Sequence, residues 1–280
     1  MKAFKIWRVH EASCGRPDDV TYRLRGWGGS NRDEAEAEAA AEMRLAWLKE
    51  RILFSTAAPK DAAMYEYGTG VIREEWLQLL AGSDDDPEAI ITRNRYGAPV
   101  LNARSLAIID IDLPEPESRG LAFWKKPADP AEQAMAKVRD WQQRNASASL
   151  RVYRTPKGFR LLRTDQAVPA DTPESERLLQ ELCNDKLYIA LCKRQQCYRA
   201  RLGPKPWRAQ LPLPPGVFPR EGASDLEFAV WLVQYESASA KFAACRYVET
   251  FGEDAISSAL AQLVSTHDEL SGALSDRPLA

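Results

Sequence analysis

Residues 105–114 read SLAIIDIDLP, an apolar run that ends in two aspartates and a proline. Four apolar residues followed by Asp110, Ile111 and Asp112 predict a buried strand that stops at the proline. Because side chains alternate across a strand, Asp110 and Asp112 share one face and lie about 7 Å apart. Two carboxylates at that spacing repel each other unless a divalent cation neutralises them. A metal site and a solvated strand end whose aspartates cap the next loop are both consistent with so short a motif.

The whole chain has the composition of an ordinary globular protein, with 280 residues of which 45% are hydrophobic. This length can bury one large core, or a main domain with a smaller appendage. The formal net charge is -2, so any surface for nucleic acid must come from local segregation of charge. Five dispersed cysteines and two histidines provide no ligand set for structural zinc. The odd number of cysteines predicts reduced thiols and a cytoplasmic location. The sequence has no apolar leader or long apolar run, which predicts no membrane segment.

Residues 1–104 are expected to form an α/β region that packs on the core. Ala3–Val9 and Val20–Arg25, joined by a turn-rich stretch, predict a β-hairpin. Acidic residues crowd the start of Asp33–Leu53 and basic residues lie nearer its end, which favours a helix. Val71–Leu80 is predicted to form a short amphipathic helix.

Residues 105–208 are expected to form a central module of α+β class. Its predicted elements are a strand ending at Asp112, a loop over 114–130, a helix (131–144), two strands (150–154 and 159–164), a helix (173–183), a short helix near 186–192 and a strand (197–202). This β-α-β-β-α-β order is that of a split ferredoxin-like or RRM-like fold, with the first and third strands at the centre of one sheet. Residues 209–280 are expected to be a proline-rich connector followed by a mostly helical extension.

Basic residues cluster in acid-free runs within this module, at 151–163 and 193–208. Cations at the rim of a carboxylate pair suit a phosphate-bearing substrate. The same cations, paired with acids of neighbouring elements at a sheet edge, would only solubilise the protein. The candidate phosphate-binding residues are Arg154, Lys157, Arg160, Arg199, Arg201, Lys205 and Arg208.

Two further features suit a nucleotide or nucleic acid. The TPKG turn can bring the backbone of Gly158 close to a phosphate. Prolines on either side of Lys205 fix an extended course that presents Trp207 and Arg208. Trp207 stacking on a base, and Trp207 filling the core below a rigid loop, are both consistent with this pattern.

The Asp110-Ile-Asp112 strand followed by the Thr155–Gly158 hairpin resembles the catalytic module of the archaeo-eukaryotic primase and primase-polymerase superfamily. That family pairs an hhDhD strand with a later hairpin histidine and a third acidic residue. The resemblance implies a primase-like palm in which Asp110 and Asp112 are catalytic and hold Mg²⁺ or Mn²⁺. It covers about a third of the chain and rests on short motifs.

The chain departs from this family at two positions. Arg160 stands where the family has the hairpin histidine that contacts nucleotide phosphate, although arginine also binds phosphate. The third carboxylate has only loose candidates, which are Asp165, Asp185 and Asp225. The run 199–208, RARLGPKPWR, is also similar to one in bacterial proteins of uncharacterised activity.

Three functions follow from these observations. The first is a divalent-metal-dependent protein that processes nucleotides or nucleic acid, with nucleotidyl transfer as the activity that the resemblance implies. The second is a protein that binds nucleic acid or a phosphorylated ligand without turnover. The third is a structural or protein-interaction module, which requires the basic runs to be paired with acids.

Overall fold

The structure is a computed structural model that describes residues 1–15, 21–54, 70–114, 129–183, 185–220 and 222–280. Within these ranges the chain mixes strands and helices, which confirms the predicted α+β class. The strands are β1 (Lys2–Ala3), β2 (Ile6–Gly15), β3 (Thr21–Ser30), β4 (Val71–Ile72), β5 (Glu75–Gly82), β6 (Pro87–Arg93), β7 (Pro99–Ala103), β8 (Ile108–Asp112), β9 (Leu150–Thr155), β10 (Gly158–Arg163), β11 (Tyr198–Arg201) and β12 (Arg246–Phe251). The α-helices are α1 (Glu34–Phe54), α2 (Pro130–Arg144), α3 (Pro173–Leu182), α4 (Lys186–Gln195), α5 (Ala223–Ser239) and α6 (Ala261–Ser271). Most of the charged loop predicted at 114–130 lies outside the described residues.

The predicted N-terminal hairpin and helix both form, although the hairpin strands extend beyond the predicted ends, to Gly15 and Ser30. β2 and β3 pair antiparallel along their whole length. α1 has acidic residues in its first turn and Arg51 in its last, as the helix dipole favours. α1 lies so close to β3 that a Cβ atom on Gly28 would meet backbone atoms of Ala37 and Ala41. The missing side chain of Gly28 therefore allows the helix and hairpin to pack.

The helix predicted at 71–80 is wrong, because these residues form β4 and most of β5. β5 pairs with β6, but its register shifts between Trp76 and Gln78 and again between Leu79 and Ala81. Each irregularity interrupts the alternation of apolar and polar side chains that marks a strand. The spacing of Trp76 and Leu79 therefore imitates a helical period although the backbone is extended.

The described strands form two four-stranded sheets and two two-stranded sheets. One large sheet has the order β12-β9-β10-β8, and the other has the order β11-β7-β6-β5. β1 pairs with β4, and β2 pairs with β3. Both large sheets combine strands from different regions of the sequence. β12, from the C-terminal region, pairs with β9, and β11 pairs with β7 from the N-terminal region.

The central module keeps the predicted order of elements but not the complete expected sheet. β8 pairs with β10, and β10 with β9, as a split order requires. β11 pairs with β7 instead of β8, so β8 is an edge strand of its sheet rather than a central one. The hydroxyl of Tyr188 lies between them, donating to the Ile108 carbonyl (2.9 Å) and accepting from the Arg199 backbone N–H (3.4 Å). We call this line of contact between β8 and β11 the seam.

The two faces of the β12-β9-β10-β8 sheet are covered by different helices. One face packs with α2 and α3 in the largest apolar cluster. On the other face, Asp110, Arg160 and Tyr153 stand directly opposite one another in neighbouring strands. α6 covers Tyr153, where the ring of His267 packs edge-on at 4.8 Å between centroids. At the β8 edge the same face reaches the surface, because Asp112 is exposed.

We expect Gly28→Ala to lower the free energy of unfolding by about 1–3 kcal/mol, because the added Cβ must displace backbone of α1. Urea denaturation followed by circular dichroism measures this change. Gly15→Ala is the matched control in the same hairpin, since a Cβ there meets nothing within 4 Å. Equal stability of the two variants would contradict the close packing of α1 on β3.

Candidate functional site

The centre of the candidate site is a two-bond pair between Asp110 and Arg160. Arg160 Nε donates to Asp110 Oδ1 (2.8 Å) and Nη2 donates to Asp110 Oδ2 (3.2 Å). The Arg160 side chain is 5% exposed, whereas that of Asp110 is 39% exposed. Burial disfavours charge on Arg160, but the charge and hydrogen bonds of Asp110 outweigh it and raise the pKa of the guanidinium. The site therefore has a neutral, hydrogen-bonded pair at its base.

Arg160 also connects β10 to the seam and to α6. Its Nη1 donates to the Arg201 carbonyl (3.0 Å) and lies 3.5 Å from His267 Nε2. A guanidinium only donates, so the contact suits the neutral His267 tautomer that carries its proton on Nδ1 and accepts at Nε2. In this tautomer His267 Nδ1 donates a hydrogen bond to Asp268 Oδ1, which lies 3.0 Å away. Asp268 in turn pairs with Arg151 (2.8 Å), so charges alternate along the network.

Asp112 lies two residues further along β8 on the same face. Its side chain is largely exposed. The part of it that is buried, together with the charges of Asp110 and Asp185, raises the pKa of the carboxyl group. The charges of Lys205 and Lys157 act in the opposite direction. Asp110 and Asp185 are therefore close enough to Asp112 to act on it electrostatically, and so are the two lysines. Asp185 also caps α4, accepting from the backbone N–H groups of its first turn.

The other two candidates for a third carboxylate have different roles. Asp165 accepts from the backbone N–H of Ser149 (2.9 Å) and pairs with Arg163. Asp225 lies in the first turn of α5. Asp185 is the one of the three whose charge acts on Asp112.

The turn between β9 and β10 packs tightly against β8. Gly158 stands opposite Asp112, and a Cβ atom there would meet the carbonyl oxygen of Ile111. The Lys157 carbonyl accepts from the Leu113 N–H (2.9 Å). The missing side chain of Gly158 therefore allows β10 to lie close to β8. The side chain of Lys157 is exposed on the turn, and its charge acts on Asp112.

Several cations of the acid-free runs are held by carboxylates. Arg199, like Arg160, has a partner, because its Nη2 lies 2.6 Å from Glu74 Oε2. Arg154 stands opposite Phe159 in the register and lies over its ring, which places it on the face away from Asp110. Further pairs in these runs are Arg151 with Asp254 and Asp268, Arg163 with Asp165 and Glu174, and Lys193 with Glu176.

Three other cations, Arg201, Lys205 and Arg208, form what we call the rim cluster. Within the described parts of the chain, none of them makes an ion pair with a carboxylate. Burial, and then the charge of Arg160, lower the pKa of Arg201 to about 10. Burial and the charges of Arg201 and Arg208 lower the pKa of Lys205, and burial lowers that of Arg208. Like charges are therefore held together at the expense of their hydration.

Trp207 lies on the surface beside the rim cluster and does not fill the core. Its side chain is 49% exposed, and its ring meets that of Tyr96 edge-on at 5.4 Å between centroids. The Lys205 ammonium lies 5.2 Å from the centroid of Trp207 and 5.9 Å from that of Tyr96. Two aromatic rings and a cation therefore meet at one surface position.

Sequence reasoning missed the residues that come from outside the β8–β10 motif. Tyr188 bridges the seam, His267 contacts Arg160 from α6, and Glu74 holds Arg199. Each is far from its partner in the sequence, and none belongs to a recognisable motif. The five cysteines are free and buried, as the predicted reduced thiols require.

No protein-family model, curated protein or solved structure matches the chain. Among the described residues, no helix is long and apolar enough to cross a membrane. The same residues contain no group of three or more histidine, cysteine, aspartate or glutamate side chains placed to hold a metal ion.

The carboxylates fit a divalent cation poorly without a second source of ligands. Both oxygens of Asp110 already accept hydrogen bonds from Arg160, and the net charge of the pair is zero. Asp112 lies beside Lys157 and Lys205, whose charges oppose cation binding. Mg²⁺ commonly takes one or two carboxylates together with phosphate oxygens, so any metal here would need a phosphate-bearing ligand.

We expect Asp110→Asn to lower the free energy of unfolding by on the order of 3 kcal/mol, because it leaves the buried Arg160 without its counter-charge. Urea denaturation at pH 7 measures the change. The double variant Asp110→Asn/Arg160→Met is expected to recover much of the loss, since it removes both charges. A single variant as stable as wild type would show that the pair does not hold Arg160 in place.

Asp112→Asn is expected to raise the free energy of unfolding, whereas Asp110→Asn lowers it. The pKa of Asp112 is raised in the folded protein, so wild type loses stability relative to the variant as the pH rises through that pKa. At pH 7 the variant should therefore be more stable, by less than about 1 kcal/mol because the carboxylate is exposed to water. Near pH 3 both side chains are neutral and the difference should vanish. Thermal unfolding from pH 3 to pH 8 tests this, and a less stable variant at pH 7 would contradict it.

Proposed function

We propose that the chain binds a phosphate-bearing ligand, a nucleotide or nucleic acid, at the rim cluster of Arg201, Lys205 and Arg208. The observation that carries the proposal is a cluster of three cations that makes no carboxylate ion pair within the described residues, and the lowered pKa of each group supports it. A bound anion would relieve both the mutual repulsion and the lost hydration. Phosphate, with several charged oxygens, suits such a cluster well.

The surroundings of the cluster favour a nucleotide over free phosphate. The exposed ring of Trp207 and the ring of Tyr96 lie beside Lys205. Exposed aromatic rings next to cations are the usual means by which proteins hold bases and backbone phosphates together. The primase-like resemblance of the β8 strand and the 155–158 hairpin points to the same class of ligand.

The distribution of ion pairs separates this proposal from a purely structural role. A structural module needs the basic runs to be neutralised by neighbouring acids, and Arg151, Arg163 and Arg199 are neutralised in that way. The rim cluster is a part of those runs that has no carboxylate ion pair among the described residues, which a purely structural role does not explain.

Binding is tested by calorimetric titration of tripolyphosphate and of a nucleoside triphosphate into wild type and Lys205→Ala/Arg208→Ala. We expect the variant to bind both ligands at least about tenfold more weakly, because each lost cation removes a charge-assisted hydrogen bond.

The matched control is Arg144→Ala/Lys193→Ala, which removes two exposed cations that pair with acids on helices. This control changes the net charge equally and should bind like wild type. Equal weakening in both double variants would show only a general charge effect, and no binding by wild type would refute the proposal.

A second function, metal-dependent nucleotidyl transfer, is suggested by the two carboxylates that Asp110 and Asp112 place on one face of β8. In this case Asp112 and Asp110 would hold Mg²⁺ or Mn²⁺ together with the phosphates of the ligand, and the metal would supply charge stabilisation. Titration of Mn²⁺ into wild type and Asp112→Asn, each with and without a nucleoside triphosphate, distinguishes the two functions. Nucleotidyl transfer requires Mn²⁺ binding that the triphosphate strengthens and that the variant loses. If Mn²⁺ does not change the binding of the triphosphate, the result supports ligand binding without catalysis.

A further inference from the structure

The helix α5 carries apolar side chains on two opposite faces. Its inner face buries three aromatic side chains, those of Phe228, Trp231 and Tyr235. Its outer face carries Leu226, Val230 and Val233, which are 72%, 64% and 69% exposed. Their spacing of four and three residues places them in one line along the helix, opposite the buried rings. We call these three residues the outer stripe.

The stability of α5 itself does not explain the outer stripe. Val230 and Val233 are β-branched, and such residues are poorer helix formers than alanine at exposed positions. A helix that is apolar on both faces is usually buried on both. Contiguous exposed apolar residues, unlike scattered ones, are typical of surfaces that bind other molecules. The outer stripe therefore has the character of a contact surface.

The inner face of α5 is already occupied by the segment that carries the rim cluster. Tyr235 Oη donates to the Pro204 carbonyl (2.7 Å), and Trp231 Nε1 donates to the Pro212 carbonyl (3.1 Å). These two contacts lie on either side of Lys205 and Arg208 in the sequence. A molecule that covered the outer stripe would therefore leave the rim cluster accessible.

The charges beside the outer stripe indicate the chemistry of a partner. α5 contains three acidic residues, Asp225, Glu227 and Glu236, and no lysine or arginine. At 100° per residue, Asp225 and Glu236 lie along one side of the outer stripe and Glu227 lies along the other. Glu236 pairs with Arg93 at 3.6 Å but its side chain is still 60% exposed. Carboxylates therefore border the stripe on both sides.

This acidic border disfavours two of the possible occupants. A second copy of α5 packed antiparallel would place Asp225 of one helix opposite Glu236 of the other, and the two carboxylates would repel each other. An anionic lipid surface would be repelled for the same reason. A helix with lysine or arginine on both sides of an apolar stripe has the complementary pattern, because its cations would face the carboxylates while its apolar residues cover the outer stripe.

We propose that the outer stripe of α5 docks a basic amphipathic helix of another protein. Such a helix packs with its apolar residues at the centre of the contact and its cations at the edges. The outer stripe extends about 10 Å along the helix, so it matches two turns of the partner. This proposal goes beyond phosphate binding and does not depend on it.

The probe is a synthetic peptide of about three heptads, with leucine at positions a and d and lysine at positions e and g. One control peptide has glutamate in place of lysine, and the other has serine in place of leucine. We expect wild type to bind the lysine peptide at least about tenfold more tightly than either control, because only this peptide has both complementary features. Fluorescence anisotropy of labelled peptides measures the three affinities.

The variant Val230→Ala/Val233→Ala removes apolar surface from the outer stripe. It should bind the lysine peptide at least about fivefold more weakly than wild type. It should be at least as stable in thermal unfolding, because alanine is the better helix former at exposed positions. The matched control is Val248→Ala, which shortens an exposed valine on β12 and should bind the peptide like wild type.

The proposal is overturned if wild type does not bind the lysine peptide, if it binds the glutamate peptide equally well, or if the double variant keeps full affinity. Sedimentation velocity of wild type alone tests a second copy as the occupant. Flotation with vesicles of phosphatidylserine and phosphatidylcholine tests a membrane. Self-association or vesicle binding that the double variant abolishes would assign the outer stripe to that occupant and refute docking of a basic helix. Tripolyphosphate binding by the same variant should equal that of wild type, so phosphate binding is judged separately.

Discussion

A buried guanidinium needs a negative charge beside it, and in this protein Asp110 meets that need. Arg160 is tied to β8 through Asp110, to β11 through the Arg201 carbonyl and to α6 through His267. The cost of leaving such a charge unpaired in the interior is several kcal/mol. The arrangement of the two large sheets and of α6 around this point is therefore constrained by one side chain on β10.

The same pair determines the electrostatics of the candidate site. By neutralising Asp110, Arg160 leaves the seam with a charge-balanced base and a cationic rim of Arg201, Lys205 and Arg208. The rim is unfavourable for the free protein, since its cations lose hydration and repel one another. Unfavourable arrangements of this kind are typical of binding sites, where function opposes stability.

The sequence predicted what depends on local pattern and failed where distant residues decide. The β2–β3 hairpin, α1, β8 and the β9–β10 hairpin follow from alternation, caps and turns, and all of them are observed. β5 was misread because irregular pairing with β6 destroys the alternation on which the prediction depends.

Two decisive contacts join residues that are far apart in the sequence. β11 pairs with β7, and Arg160 binds Asp110. No residue near either partner signals them. The same holds for the candidate site: the residue types at its rim were identified from charge runs, but which of those cations are neutralised depends on acids such as Glu74, far away in the sequence.

The place of β12 in the sheet has a consequence for synthesis of the chain. β9 ends at Thr155, but the strand that covers its outer edge begins only at Arg246. Until those later residues leave the ribosome, β9 presents an open row of backbone donors and acceptors to other nascent chains. Because domains fold as their residues emerge, the central sheet cannot be completed during most of translation. A chain interrupted before β12 would leave this edge of β9 without its partner strand.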